Sequence, residues 1–233
     1  MLNYGLKREG KTSFFMKKIL FGLAFLFPAL LSPSTLADEK EGNFYLTVGG
    51  GYQFPQVTTF KAPVGGTTYK IDYEFDGAGI YGFGLGYDFG QWRLHSALSK
   101  GTLSLDSIKL DGSKLAITIE DIDVTVFSLS GIYEFTKDSK VTPFLGAGLS
   151  YQTGSDAEAT VQTGGTTTNF IVTGDELWAA QLGAGLTYKL KEDIDIFAEI
   201  RSAFPLSDSD LPAGWTEESP TVIGYSIGLI YSF

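Results

Sequence analysis

Read backwards from its end, the chain places a large apolar residue at every second position: Phe233, Tyr231, Leu229, Ile227, Tyr225 and Ile223. The positions between them, Ser232, Ile230, Gly228, Ser226 and Gly224, are mostly small or polar. A period of two belongs to an extended strand whose side chains alternate between two faces. Pro220–Phe233 therefore reads as a strand with one apolar and one polar side. Such a strand cannot stand alone, and the chain repeats the pattern.

Seven earlier segments alternate in the same way: 44–54, 80–89, 92–101, 122–135, 143–153, 177–190 and 194–204. The connections between the eight segments are long, short, long, short, long, short and long. In an up-and-down arrangement consecutive connections fall at opposite ends, so every long loop lies at one end and every short turn at the other. Large apolar residues on the common face also sort by height. Phe44, Tyr87, Trp92, Tyr133, Tyr188 and Tyr231 fall near the turns, and Tyr52, Tyr81, Phe127, Tyr151, Trp178 and Tyr225 near the loops, with Leu, Ile, Val and Ala between them. Two aromatic girdles around an aliphatic band are what a bilayer imposes on the outside of a barrel. The expected fold is all-β: an eight-stranded antiparallel up-and-down transmembrane β-barrel.

The other face carries charge. Arg93, Glu134, Lys189, Asp195, Glu199 and Arg201 all lie on it. A basic residue facing lipid at mid-membrane would cost about 2–4 kcal/mol, so these side chains must point into the lumen. Eight strands enclose an interior that side chains can fill. The expectation is a lumen plugged by ion pairs and water, with Arg93, Glu134, Lys189, Glu199 and Arg201 as its charge cluster. That cluster is either a network that fixes strand register or a gate. Glu199 and Arg201, two apart on one strand, are expected partners.

The start of the chain reads as a targeting segment. Met16-Lys17-Lys18 is basic, Ile19–Leu31 is apolar apart from Pro28, and Ser34-Thr35-Leu36-Ala37 precedes an acidic run. This is the order of a secretory signal peptide cleaved after Ala37, with residues 1–15 upstream of the true start or part of an extended basic region. The expected division is therefore signal peptide over 1–37 and barrel over 38–233. Cleavage removes five basic residues and one acidic one, leaving 12 basic and 26 acidic residues. That balance excludes a nucleic-acid partner, which needs a basic surface. With no cysteine there is no disulfide framework.

Thr142-Pro143-Phe144-Leu145-Gly146-Ala147-Gly148-Leu149-Ser150-Tyr151 resembles a strand signature of small outer-membrane β-barrel proteins. Gly183–Tyr188, Tyr81–Tyr87 and the terminal Tyr231-Ser232-Phe233 resemble it as well. The family includes opacity-type surface antigens and the transmembrane domain of OmpA-like proteins. The resemblance implies a location in a bacterial outer membrane, contact with its lipid, and insertion by the outer-membrane assembly machinery, which recognises the closing strand through Tyr231 and Phe233. It does not select an activity.

Three motifs carry less. Gly82, Gly84 and Gly86 alternate within a strand, so they do not form a dinucleotide loop. His95, the one histidine, faces the lumen while Ser96 faces lipid, so the two cannot act together as nucleophile and base. Acidic groups in the long connections (Asp72, Glu74, Asp76; Asp106, Asp111; Asp208, Asp210; Glu217, Glu218) read as solvated charge without calcium-loop spacing. No metal site, cofactor or catalytic residue is expected. The expected function is a structural or surface-interaction role through four long outer loops with an external ligand or partner. The alternatives are a small porin or ion channel, a lipid A-modifying enzyme, and an exported soluble ligand-binding barrel.

Overall fold

The computed structural model describes residues 42–136, 139–163, 166–172, 176–206, 214–218 and 221–233. The proposed signal peptide, Asp208, Asp210 and Pro220 lie outside them. Eight strands close into a barrel: β1 (Asn43–Pro55), β4 (Ala78–Asp88), β5 (Trp92–Leu103), β9 (Ile122–Glu134), β10 (Val141–Gly154), β13 (Glu176–Lys189), β14 (Ile194–Pro205) and β16 (Val222–Ser232). Each pairs antiparallel with its neighbour in the chain, and β16 closes on β1 from Tyr45↔Ser232 to Pro55↔Val222. These are the eight segments that the alternation marks, to within a few residues at each end.

The two faces separate as their chemistry demands. Phe44, Leu46, Val48, Tyr81, Phe83, Leu85, Ile227 and Leu229 point outward and are exposed. In water such a band would be untenable, but against lipid it is the stabilising surface. The girdle rings touch within each level: Trp92 and Tyr133 lie 4.9 Å apart at the turn end, and Tyr151 and Trp178 lie 5.0 Å apart at the loop end. Inward, Tyr45, Ile132, Phe144 and Ile230 are buried together with Arg93 and Glu134.

The long connections differ from the expectation of loops. They hold eight further strands: β2 (Thr58–Val64), β3 (Thr67–Phe75), β6 (Leu105–Leu110), β7 (Ser113–Lys114), β8 (Ile117–Ile119), β11 (Ala157–Thr163), β12 (Thr166–Val172) and β15 (Thr216–Glu218). They form a five-stranded sheet, β15-β2-β3-β6-β7, and a three-stranded sheet, β12-β11-β8. β11 and β12 pair as a hairpin up to Thr163↔Thr166, with residues 164–165 outside the described set.

These sheets continue the barrel wall in register. Gly154 faces Val124 at the end of the β10–β9 ladder. The Ser155 amide then donates to the Asp123 carbonyl and the Glu120 amide to the Glu158 carbonyl. Ala159 next faces Ile119 in the β11–β8 ladder. Equal numbers of residues separate these pairings on the two strands. The same holds from Pro55↔Val222 to Lys61↔Thr216, from Gln53↔Ala78 to Thr58↔Tyr73, and from Thr153↔Glu176 to Ala157↔Val172. Between β3 and β6 the register shifts at Glu74/Phe75.

The acidic groups of this extension are mostly paired rather than simply solvated. Glu218 bonds Lys61, Asp72 bonds Thr59 and Lys70, and Glu74 bonds Lys109 and Ser107. Cross-strand register puts Glu218, Thr59, Asp72 and Lys109 in one row on a single face. Two of these pairs, Glu218–Lys61 and Glu74–Lys109, join strands from different connections.

Candidate functional site: the lumen and its plug

The short turn after β4 places Arg93 at the second position of β5, and Glu134 ends β9. Trp92 faces Tyr133 across the β5–β9 ladder, which brings both charged side chains into the turn end of the lumen. Arg93 Nη2 lies 3.1 Å from Glu134 Oε1. The guanidinium carbon also sits 5.5 Å from the centre of the Tyr45 ring and 5.7 Å from that of Phe144. A cation against aromatic faces is attracted by their quadrupoles, more strongly when water is excluded.

Glycine makes room for these rings. A Cβ at Gly86 would collide with the Tyr45 ring, and one at Gly185 with the Phe144 ring. The plug is thus two aromatic rings seated against neighbouring strands, with an ion pair between them. The sequence analysis did not single out Phe144 as a lumen residue. The signal was present, because Leu145 points outward and its neighbour must point in.

A second charged group lies further along. Arg201 Nε is 2.8 Å from Glu199 Oε1, and Arg201 Nη2 donates to Glu199 Oε2 at 3.0 Å. Nη1 donates to Gln181 Oε1, also at 3.0 Å. The expected partnership of Glu199 with Arg201 is therefore present, and Gln181 completes it. The candidate cluster sorts into two pairs, Arg93–Glu134 and Arg201–Glu199. Lys189 belongs to neither; it is exposed at the turn end, opposite Asp195 in the β13–β14 ladder.

Between the two pairs lies a cavity of about 140 Å³, lined by residues that include Arg93, His95, Ser128, Gln181, Glu199 and Arg201. His95 Nε2 is 3.0 Å from Thr47 Oγ1, and its ring stacks on Tyr45 at 5.8 Å. Ser96 turns the other way and donates to the Leu85 carbonyl at 3.0 Å. Among the described residues no group of three or more His, Asp or Glu side chains could hold a metal ion. Tyr231 and Phe233 stand exposed on the outer face at the turn end, and the Phe233 amide donates to the Phe44 carbonyl.

A closed eight-stranded barrel with an apolar outer band and a polar lumen is a transmembrane barrel. The chain belongs to the outer membrane protein beta-barrel domain family, whose sequence model matches residues 23–233. It is a protein of the bacterial outer membrane. The outer membrane protein OprG from Pseudomonas aeruginosa is similar in structure, with TM-score 0.54 and 18% identity over 84% of this chain and 97% of that one. Neisserial surface protein A gives 0.48 and 18% over 83% and 100%, and Ail of Yersinia pestis 0.40 and 14% over 83% and 100%. No curated protein matches by sequence.

Proposed function

We propose that the protein is a surface-interaction barrel. The membrane part holds the outer extension in place, and the extension meets an external partner. One observation carries this reading: three of the four long connections are knitted into a five-stranded sheet by cross-strand ion pairs that link different connections, while the lumen is filled at its turn end. An ordered sheet is a better contact surface than four separate loops, because less conformational entropy is lost when a partner docks.

In this reading Arg93–Glu134 and Arg201–Glu199 are register-fixing pairs and not gates, and no residue is catalytic. Tyr231 and Phe233 serve as the assembly signal, so Phe233→Ala lowers the amount of protein reaching the outer membrane. The second reading, a small porin, is favoured by the cavity above the plug. Planar-bilayer recording of protein purified from the outer membrane separates the two. A silent, folded barrel fits the surface role, whereas stable unitary openings would make it a porin.

A further inference from the structure

Two buried polar atoms in the plug have no hydrogen-bond partner among the described residues: Arg93 Nε and Thr187 Oγ1. They belong to different walls, β5 and β13, and both lie near the turn end. Leaving such a group bare costs about 1–3 kcal/mol, so buried polar atoms of this kind are met by water when protein does not meet them. Room for water adjoins Arg93. The cavity of about 140 Å³ reaches Arg93, and its wall carries Gln53, Ser99, Ser128, Gln181 and Ser226 as further donors and acceptors. It has room for several waters. A second space of about 10 Å³, bordered by Ser130, Gln181, Glu199 and Arg201, is close to the size of one.

We propose that the lumen is a water path closed to ions, in which waters enter from the chamber, bridge Arg93 Nε and Thr187 Oγ1 through the plug, and leave at the exposed rim beside Lys189. Water passes because it trades one hydrogen bond for another at each step. An ion does not, because it would shed its hydration shell between the Tyr45 and Phe144 rings, where the guanidinium and carboxylate already neutralise each other. The effective penalty for such desolvation is several kcal/mol per ion. The inference concerns the lumen alone and does not depend on what the extension binds.

The test uses protein purified from the outer membrane and reconstituted into lipid vesicles, with osmotic shrinkage followed by stopped-flow light scattering. The expected result is shrinkage several-fold faster than in protein-free vesicles, with no unitary ion currents in planar bilayers. Thr187→Val removes the orphaned oxygen at nearly constant volume and slows the shrinkage, while heat-modifiable migration confirms a folded barrel. Gly224→Phe, at the chamber wall, gives an independent block. Shrinkage at the lipid rate overturns the proposal, and so does a rate that neither variant changes. Ion currents accompanying the water would overturn the closure to ions and, separately, the surface reading.

Discussion

Arg93 and Glu134 meet at 3.1 Å with side chains only 6% and 7% exposed, inside a barrel whose outer wall faces lipid. Neither charge has bulk water to fall back on. Removing one partner therefore leaves the other uncompensated, whereas removing both leaves an apolar gap that can repack. Glu134→Gln is expected to destabilise the barrel by about 3–5 kcal/mol, and the double change Arg93→Met with Glu134→Leu far less. Urea unfolding in detergent, read by loss of heat-modifiable migration, provides the comparison. Equal losses in the single and double variants would contradict the account.

Arg201 is the partly exposed cation of the second pair, with a side chain 26% exposed. Its loss frees Glu199 toward a hydrated chamber and leaves the seal of Tyr45, Phe144 and Arg93 intact. Arg201→Ala is therefore expected to leave planar bilayers silent and to cost less stability than Glu134→Gln. Currents appearing in the Arg201 variant alone would move the seal to this level and make the pair a gate.

The ring seats predict a sharp size limit. Gly86→Ala introduces a Cβ where the Tyr45 ring lies, and Gly185→Ala one where the Phe144 ring lies. Overpacking of this kind costs about 1–3 kcal/mol. Each substitution should lower the urea midpoint, and adding Tyr45→Ala to Gly86→Ala should relieve part of the alanine's effect, because the new Cβ still meets the Leu94 carbonyl oxygen. Independent, additive losses would mean that the ring and the glycine are not in contact.

Acid should loosen the extension before the barrel. The Thr59 hydroxyl, followed by the Lys70 ammonium, holds the Asp72 carboxyl below its ordinary range. The Lys109 ammonium, followed by the Ser107 hydroxyl, does so for Glu74, and Lys61 for Glu218. A carboxylate with a lowered folded pKa stabilises above its unfolded value, and that contribution is lost as pH falls through the folded one. The window therefore begins near the ordinary carboxylate range and extends below it. Amide exchange of β2, β3, β6 and β15 should quicken there while β9 and β10 stay protected; simultaneous opening of both regions would contradict it. High salt should weaken the same contacts at neutral pH, because exposed pairs are screened.

How much of this could be read from the sequence follows from what each signal encodes. The eight wall strands were legible because lipid forces strict alternation between Phe83, Leu85 and Tyr87 on one side and Gly82, Gly84 and Gly86 on the other. The extension was passed over because length marked its segments as loops. Two hairpin signals lay within them. Gly65-Gly66 and Asp111-Gly112 both take positive φ, as a two-residue turn between paired strands requires. The faces of Arg93, Glu134, Glu199 and Arg201 were legible, but their heights were not. Alternation fixes the side of the wall to which a residue belongs, whereas partners depend on how neighbouring strands are offset, and no local pattern records that offset.

The register carried from wall to extension across the Gly154–Ala157 junction limits how this surface can change. An insertion of one residue at the Gly154–Ala157 junction would turn every following side chain of β11 to the opposite side and break its pairing with both β8 and β12. Two inserted residues would keep the sides but slide the ladder by a full repeat on one strand alone. Length should therefore vary at the hairpin tips, such as Gly65-Gly66 and Asp111-Gly112, and stay fixed at the junctions. The crests of the extension can thus vary in length without cost to the pairing, while its base is tied residue for residue to the membrane wall.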